Sequence, residues 1–443
     1  MAGEGQVVFG LDAVAVSTAV LIATYVAVMV DRINRAIVAL LGAGLMIVLG
    51  VLTQQAAIRG VDFNTIALLT GMMLIVGITR RCGIFQYVAI LSAQRVRGSP
   101  AAVLLLLSVV TAVFSALLDN VTTVLLIVPV TLAITHELKV PAYPFLFAEV
   151  LASNIGGTAT LIGDPPNILI GSAAGLSFND FVVNLTPVIV VVMIVQALIT
   201  HLVWGRQLHA APEDRRRVMA MVAGAAILDA RLLKQSMTVL AGVILAFVLA
   251  RWLHLEPGTI AMLGAALLLL LDNVGRTPEA QAEEIHRTFT EVEWITLFFF
   301  IGLFVVVAGV EQAGLLHRLA DGLLAATGGD RTATVLAILW GSAVLSAVVD
   351  NIPFVATMIP LIKTLAPAFG GPEGLMPLWW ALSLGACLGG NGTLIGASAN
   401  LTVAGLAERA GVRFRFLTFT AYAFPMMLVS VAICHAYVWW RYL

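Results

Sequence analysis

Charge is what this chain has least of. Only 11% of its 443 residues are Asp, Glu, Lys or Arg, and 24 basic against 25 acidic residues leave a net charge of −1. A soluble domain carries roughly a quarter of its residues as charges to stay in water, so water is not the solvent for most of this surface. There is no basic tract and no zinc-type cysteine spacing, and nucleic acid drops out of the expected partners. The three cysteines, Cys82, Cys387 and Cys434, are too scattered for a disulfide framework. No glycine-rich segment ends in Gly-Lys-Ser or Gly-Lys-Thr, the loop that cradles phosphates. Any ATP drive would therefore come from a separate ATPase subunit, and no cofactor is expected. The N-terminus has no basic stretch followed by a small-residue cleavage site, so the first apolar segment is expected to be a retained span rather than a signal peptide.

What is present is apolar: 60% of the residues are hydrophobic and the mean hydropathy is +1.01. This material comes in runs of about twenty residues, the length that crosses a hydrocarbon core of about 30 Å. Full spans are expected near 9–30, 36–53, 62–80, 180–203, 235–251, 257–273, 294–311 and 417–440. Four further segments, 101–136, 142–175, 332–368 and 376–404, carry Gly, Pro, Asn or Asp at their middle. Uninterrupted helix does not pass Asp164-Pro165-Pro166-Asn167, because proline removes a donor and clashes with the turn before it. Basic residues concentrate on cytoplasmic loops. Arg32 and Arg35, Arg80 and Arg81 with Arg95 and Arg97, the 206–234 loop with Arg215-Arg216-Arg217, and Arg409, Arg413 and Arg415 all fall on one side if both termini lie outside. That topology has ten crossings of an inner (plasma) membrane, with 101–136 and 332–368 as re-entrant hairpins.

Self-comparison shows a repeat. Thr65, Gly71, Gly83, Asp119-Asn120-Val121 and Pro129 recur 231 residues later as Thr296, Gly302, Gly314, Asp350-Asn351-Ile352 and Pro360. Gly156-Gly157, Thr160-Leu161-Ile162-Gly163 and Asn167 recur 233 residues later as Gly389-Gly390, Thr393-Leu394-Ile395-Gly396 and Asn400. In the expected topology 62–80 runs inward and 294–311 outward, so the repeats are inverted. The chain divides into N-terminal spans (1–61), a first repeat (62–203), a cytoplasmic loop (204–234), linking spans with a solvated loop at 274–291 (235–291), and a second repeat (292–443). The fold class is an all-α polytopic membrane protein with two inverted repeats and two unwound helices. Inverted repeats with broken helices at matching positions are the build of secondary transporters, whose sites lie where the breaks meet.

An aspartate at a membrane helix centre costs about 2.5–3.5 kcal/mol on insertion scales, and Asp119 and Asp350 each interrupt an apolar run. They read as proton- or cation-coupling groups at the hairpin tips, or as helix N-caps, a role Asp favours; the two readings are compatible. Asp164 is the third such group, or a cap on the half-helix that follows; its partner in the repeat is Ala397. Short polar side chains and glycines at the tips and breaks supply candidate substrate contacts: Asn120, Thr122, Thr123, Asn154, Gly156, Gly157, Thr158, Thr160, Asn167, Asn351, Gly389, Gly390, Asn391, Thr393, Ser398 and Asn400. Glycine admits close backbone approach, although small residues also pack membrane helices together. Glu149, before the first break, is a lesser candidate for the cavity, and His435 is expected to pack in the last span. No metal site is certain.

Asp119-Asn120-Val121-Thr122-Thr123, Gly163-Asp164-Pro165-Pro166-Asn167, Asp350-Asn351-Ile352-Pro353-Phe354 and Gly389-Gly390-Asn391-Gly392-Thr393-Leu394-Ile395-Gly396 resemble the ion transporter superfamily. The resemblance is to the branch holding the arsenical pump membrane protein, bacterial sodium/proton antiporters and the melanosomal P protein. It covers most of the chain and implies a scaffold part, a transport part whose two hairpin tips line the site, and, from the wider superfamily, a homodimer. Dicarboxylate carriers of the superfamily have serine where both tips here have aspartate. With two acidic groups and no arginine or lysine expected at the site, an anion would be repelled. The resemblance therefore implies a transporter rather than an enzyme. Its leading cargo is arsenite or antimonite, exchanged for protons. Sodium/proton antiport is the alternative, with Na+ at the same site, and an organic or inorganic anion carrier ranks third.

Overall fold

The computed structural model describes Val7, residues 10–30 and residues 32–443. Residues 1–6, to which the outward placement of the N-terminus refers, and residue 9, where the first span was expected to begin, lie outside the described residues.

The first half opens with α1 (Ala13–Val30), α2 (Arg35–Val48), the short α3 (Gln54–Gly60) and α4 (Phe63–Arg80). After α5 (Ile84–Arg95), α6 (Pro100–Leu117) and α7 (Asn120–Leu138) form a hairpin. Both arms are long and apolar enough to span, but only Leu118 and Asp119 join them, so the chain turns back on itself. The broken helix follows as α8 (Tyr143–Thr158) and α9 (Pro165–Ala174). Then come α10 (Phe178–Asn184), α11 (Thr186–Thr200) with a π turn at His201–Gly205, and α12 (Pro212–Ala220) in the central loop. The second half repeats the order: α13 (Ala230–Leu253), α14 (Pro257–Asn273), α15 (Pro278–Thr290), α16 (Trp294–Ala313), α17 (Leu315–Ala326), the hairpin α18 (Arg331–Ser346) and α19 (Asn351–Thr364), the broken helix α20 (Met376–Gly389) and α21 (Ser398–Arg409), and α22 (Phe416–Tyr442). The protein is all-α, with two inverted repeats, two re-entrant hairpins and two unwound helices.

Local chemistry explains the ends. Asp62 accepts from the amides of Asn64 and Thr65 at 3.0 and 3.2 Å and starts α4. Asp330 accepts from Ala333 N at 2.7 Å and starts α18. Such caps satisfy amides that have no partner within the helix. Pro165 and Pro166 occupy the first turn of α9, where a missing N–H costs nothing.

Two helix pairs form the inner scaffold. A Cβ on Gly71 of α4 would meet Ala261 C of α14 at 2.5 Å, and one on Gly302 of α16 would meet Ala39 C of α2 at 2.6 Å. These are one contact made twice, with Gly71 and Gly302 related by 231 residues and Ala39 and Ala261 by 222. Each half thus lends its second helix to the core helix of the other. α4, α7 and α16 are more than half buried, whereas only about a quarter of α1 and α13 is buried, as in lipid-facing helices.

Several expectations shift. The span near 180–203 divides at Leu185 into α10 and α11. The 274–291 loop is exposed at Glu279 and Glu283 but contains α15, tied to the scaffold by ion pairs. Arg81 pairs with Asp272 at 2.9 Å and with Glu284, and Arg276 pairs with the same two carboxylates at 3.0 and 2.8 Å. Helices α5 and α17 were unforeseen, because twelve residues with polar ends do not stand out among apolar spans.

The close approaches at Gly71 and Gly302 leave no room for a side chain, and overpacking costs about 1–3 kcal/mol. Gly71→Leu and Gly302→Leu should each lower the melting temperature of detergent-solubilised protein by several degrees. Gly242→Leu, where nothing lies within 4 Å of a built Cβ, should leave it unchanged.

Candidate functional site

Each hairpin tip is fastened to the break beside it by the same bonds in both repeats. Ser115 Oγ donates to Ser153 O at 2.6 Å, and Ser346 Oγ to Ala386 O at 2.6 Å. Thr160 Oγ1 donates to Ala116 O and Thr393 Oγ1 to Ala347 O, both at 2.5 Å. Within the breaks, Asn167 Nδ2 donates to the carbonyls of Thr158 and Thr160 at 3.1 and 2.8 Å. Asn400 Nδ2 does so to Gly390 and Thr393 at 2.8 and 2.9 Å. These bonds take up carbonyls that unwinding leaves free, as buried backbone requires.

The paired glycines have packing partners. A Cβ on Gly156 would lie 2.5 Å from Ala112 Cα, and one on Gly389 2.7 Å from Ala343 Cα. Gly157 faces Gly163 O and Gly390 faces Gly396 O, across each break. The glycines therefore bring the broken helices against the hairpin arms.

The three candidate aspartates differ. Asp119, half-buried, accepts from Thr122 N at 2.7 Å and from the Thr122 hydroxyl, and so caps α7. Asp350 accepts from Ile352 N at 3.1 Å and caps α19; its Oδ2 also accepts from Ser398 Oγ at 2.9 Å. Asp164 stands at the N-cap of α9 but makes no side-chain capping bond there. It is fully buried, and its carboxylate accepts from both hairpins. Asn120 Nδ2 lies 3.2 Å from Oδ1, and Asn351 Nδ2 lies 3.3 and 3.4 Å from Oδ1 and Oδ2. No arginine or lysine pairs with it among the described residues.

Amides continue outward from this point. Asn120 also donates to Asn154 Oδ1 at 3.1 Å, and Asn154 donates to Asn391 Oδ1 and Asn400 Oδ1, each at 2.9 Å. Asn391 reaches back to Leu151 O at 3.4 Å, and Thr158 donates to Asn154 O at 2.7 Å. The two breaks are thus stitched together through side chains. Asn120 Oδ1 and Thr123 Oγ1 are buried without a hydrogen-bond partner. Cys387, also buried, lies with its Sγ 3.6 Å from Asn167 Oδ1, which accepts from Ser383 Oγ at 2.6 Å. Glu149 does not line the cavity. It is buried between α7 and α8, where Oε1 accepts from Thr131 Oγ1 and Oε2 has no partner. His435 packs as expected, accepting from Trp340 Nε1 at 3.0 Å.

A cavity of about 510 Å³ opens beside the tips, lined by Arg35, Val121, Glu293, Thr296, Ser398 and Thr402 among others. Its pseudo-equivalent, about 320 Å³, lies by Asp62, the counterpart of Glu293. That one stops at Ile359, Pro360 and Ser172, short of both tips. Of these two cavities, the one at Glu293 reaches the first tip, at Val121. The expectation that no arginine stands at the site does not hold. Arg35 Nη1 donates to Ser398 Oγ at 2.6 Å and lies 3.6 Å from Asp350 Oδ2, while Nη2 donates to Thr296 Oγ1 at 3.0 Å. Arg35 is 363 residues from Ser398 in sequence, and at a span boundary it looks like any orienting basic residue. Glu293 stands at the foot of α16, outside the span, where its Oε2 accepts from Thr296 Oγ1 at 3.1 Å. Burial pushes its carboxyl above the usual range and the charge of Asp119 adds to that, with the Thr296 hydroxyl and Arg35 opposing. Glu293 and Arg35 line this cavity; Asp350 sits behind Ser398 and Arg35, and Asp119 lies near enough to Glu293 for their charges to interact.

Comparison with known proteins gives the fold relatives. A family model described as citrate transporter (CitMHS) matches residues 25–385. An uncharacterized transporter of Mycobacterium tuberculosis is 44% identical over 96% of this chain and 98% of its own length. The P protein of Homo sapiens is 34% identical over 96% of this chain and 59% of its own. The YdaH transporter of Alcanivorax borkumensis shares the fold with a TM-score of 0.56, at 15% identity over 85% of each chain.

Because the tip-to-break bond is duplicated, its loss should cost the same twice. Thr160→Val and Thr393→Val each remove a donor from a carbonyl, part-buried at Ala116 and buried at Ala347, at about 1–3 kcal/mol. Comparable drops in melting temperature are expected for both, and for the double variant roughly their sum.

Proposed function

The chain belongs to the citrate transporter family of the ion transporter superfamily, and from that premise we propose that it is a proton-coupled antiporter working by alternating access. One observation carries the reading: a single buried carboxylate, Asp164, accepts from the tip asparagines of both hairpins. An ionised carboxylate only accepts hydrogen bonds; a protonated one carries a donor and loses an acceptor site. Whether Asp164 holds a proton therefore decides how firmly Asn120 and Asn351 are drawn together. Asp119 and Asp350 hold the tips in shape and give the cavity its charge. With the arginine clusters taken as cytoplasmic, the cavity at Arg35 and Glu293 faces the cytoplasm of an inner membrane.

For the cargo, the geometry favours sodium. Most amides are engaged with each other. The buried atoms left without partners, Asn120 Oδ1 and Thr123 Oγ1, are oxygens beside a carboxylate, and hard cations take oxygen ligands. Glu293 at the cavity wall, with Asp119 and Asp350 behind it, would outweigh the one guanidinium, concentrating a cation there and repelling an anion. Arsenite or antimonite efflux is the second reading, supported by the Cys387 thiol within the amide cluster, since soft centres prefer sulfur.

Everted vesicles carrying an acid-inside proton gradient test this. Added sodium should dissipate the gradient in the wild type and in Asp119→Asn, which keeps a capping side chain. Asp164→Asn should abolish the response while the protein remains in the membrane. Full exchange in Asp164→Asn would sink the proposal. Arsenite accumulation that collapses with a protonophore, without a sodium response, would move the cargo to the second reading.

A further inference from the structure

The two hairpin carboxylates are related by the repeat, yet only one has a cation beside it. Arg35 lies next to Asp350. By the 222-residue offset that relates Ala39 to Ala261, its counterpart near Asp119 is Pro257. Ser398, which bridges Arg35 and Asp350, is matched by Pro165. Arg35 also joins parts that alternating access requires to separate. It belongs to α2 and is anchored to α16 through Thr296 and by lying over the Phe299 ring at 5.3 Å. Its other nitrogen reaches the second hairpin tip and the start of α21. The Arg35 side chain is 24% exposed and that of Asp350 15%, and the cavity of about 510 Å³ gives the guanidinium room to swing away.

We propose that Arg35 is a tethered cation which occupies the second hairpin's carboxylate and hydroxyl, Asp350 Oδ2 and Ser398 Oγ, until an arriving monovalent cation displaces it. This rests on the sodium/proton reading. A guanidinium and a sodium ion carry the same charge and seek the same oxygens, so both cannot hold Asp350 and Ser398 at once. While Arg35 is seated it also ties the transport part to the scaffold; displacement by cargo breaks that tie. Cargo arrival and release of the moving part thus become one event, and they occur at one hairpin only.

The test is proton release from proteoliposomes of purified full-length protein, titrated with sodium chloride. Removing the competitor should lower the half-saturating sodium concentration. For Arg35→Gln the expected fall is about threefold, the size a partly exposed ion pair carries. Arg35→Lys keeps the charge and should stay closer to the wild type. Thr296→Val, which loosens the anchor but keeps the guanidinium, should move in the same direction as Arg35→Gln by less; it carries the test if Arg35→Gln does not assemble. Unchanged or higher half-saturation in a variant that still exchanges sodium overturns the inference alone. A wild type that releases no protons on sodium addition overturns it together with the reading beneath it.

Discussion

A carboxylate taken out of water and given amides in place of a counter-ion is the constraint around which this molecule is arranged. Asp164 is fully buried, and the amides of Asn120 and Asn351 donate to it. A hydrogen bond to a charged group contributes about 1.5–3 kcal/mol. Two of them are comparable with the several kcal/mol that burying one ion costs, and leave little margin. Such a group is sensitive to anything that supplies positive charge. The second repeat has Ala397 at the matching place, so the two halves share one such group instead of holding two that would repel each other.

The surroundings explain why two hairpins can meet there. Tight glycine contacts set the broken helices against the hairpin arms, and serine and threonine hydroxyls lock each tip to the carbonyls beside it. These fixed bonds are nearly the same in both repeats and form a rigid frame. The variable positions within that frame, Asp164 opposite Ala397 and Ser398 opposite Pro165, make the two sides unlike. Asymmetry of access follows the same line: the cavity at Glu293 reaches the first tip, and its counterpart at Asp62 reaches neither.

Charge at the cavity mouth works at a different range from the buried centre. Asp119, Glu293, Asp350 and Arg35 are partly solvated, so each pair contributes modestly and is screened by salt. Their sum still sets the potential near the tips, and Arg35 offsets part of the charge of Asp350.

Much of the fold was legible in the residues because it depends on local punctuation. Proline, glycine and aspartate in the middle of apolar runs mark where a helix must stop, and a shared offset marks the repeat. The hairpins, the breaks and most of the site asparagines follow from that. Sequence also narrowed the coupling group to three aspartates, since each is costly in a membrane wherever it points. It could not choose among them, because a capping aspartate and a coupling aspartate are the same residue until their hydrogen-bond partners are known. Tertiary structure distinguished them by partner: Asp119 accepts from its own helix, Asp350 from its own helix and from Ser398, and Asp164 from both hairpins. It alone brought Arg35 to Ser398 from 363 residues away. It alone revealed α2 and α14 as equivalent partners of α16 and α4, for packing depends on which surfaces meet in space and leaves no periodic trace along the chain.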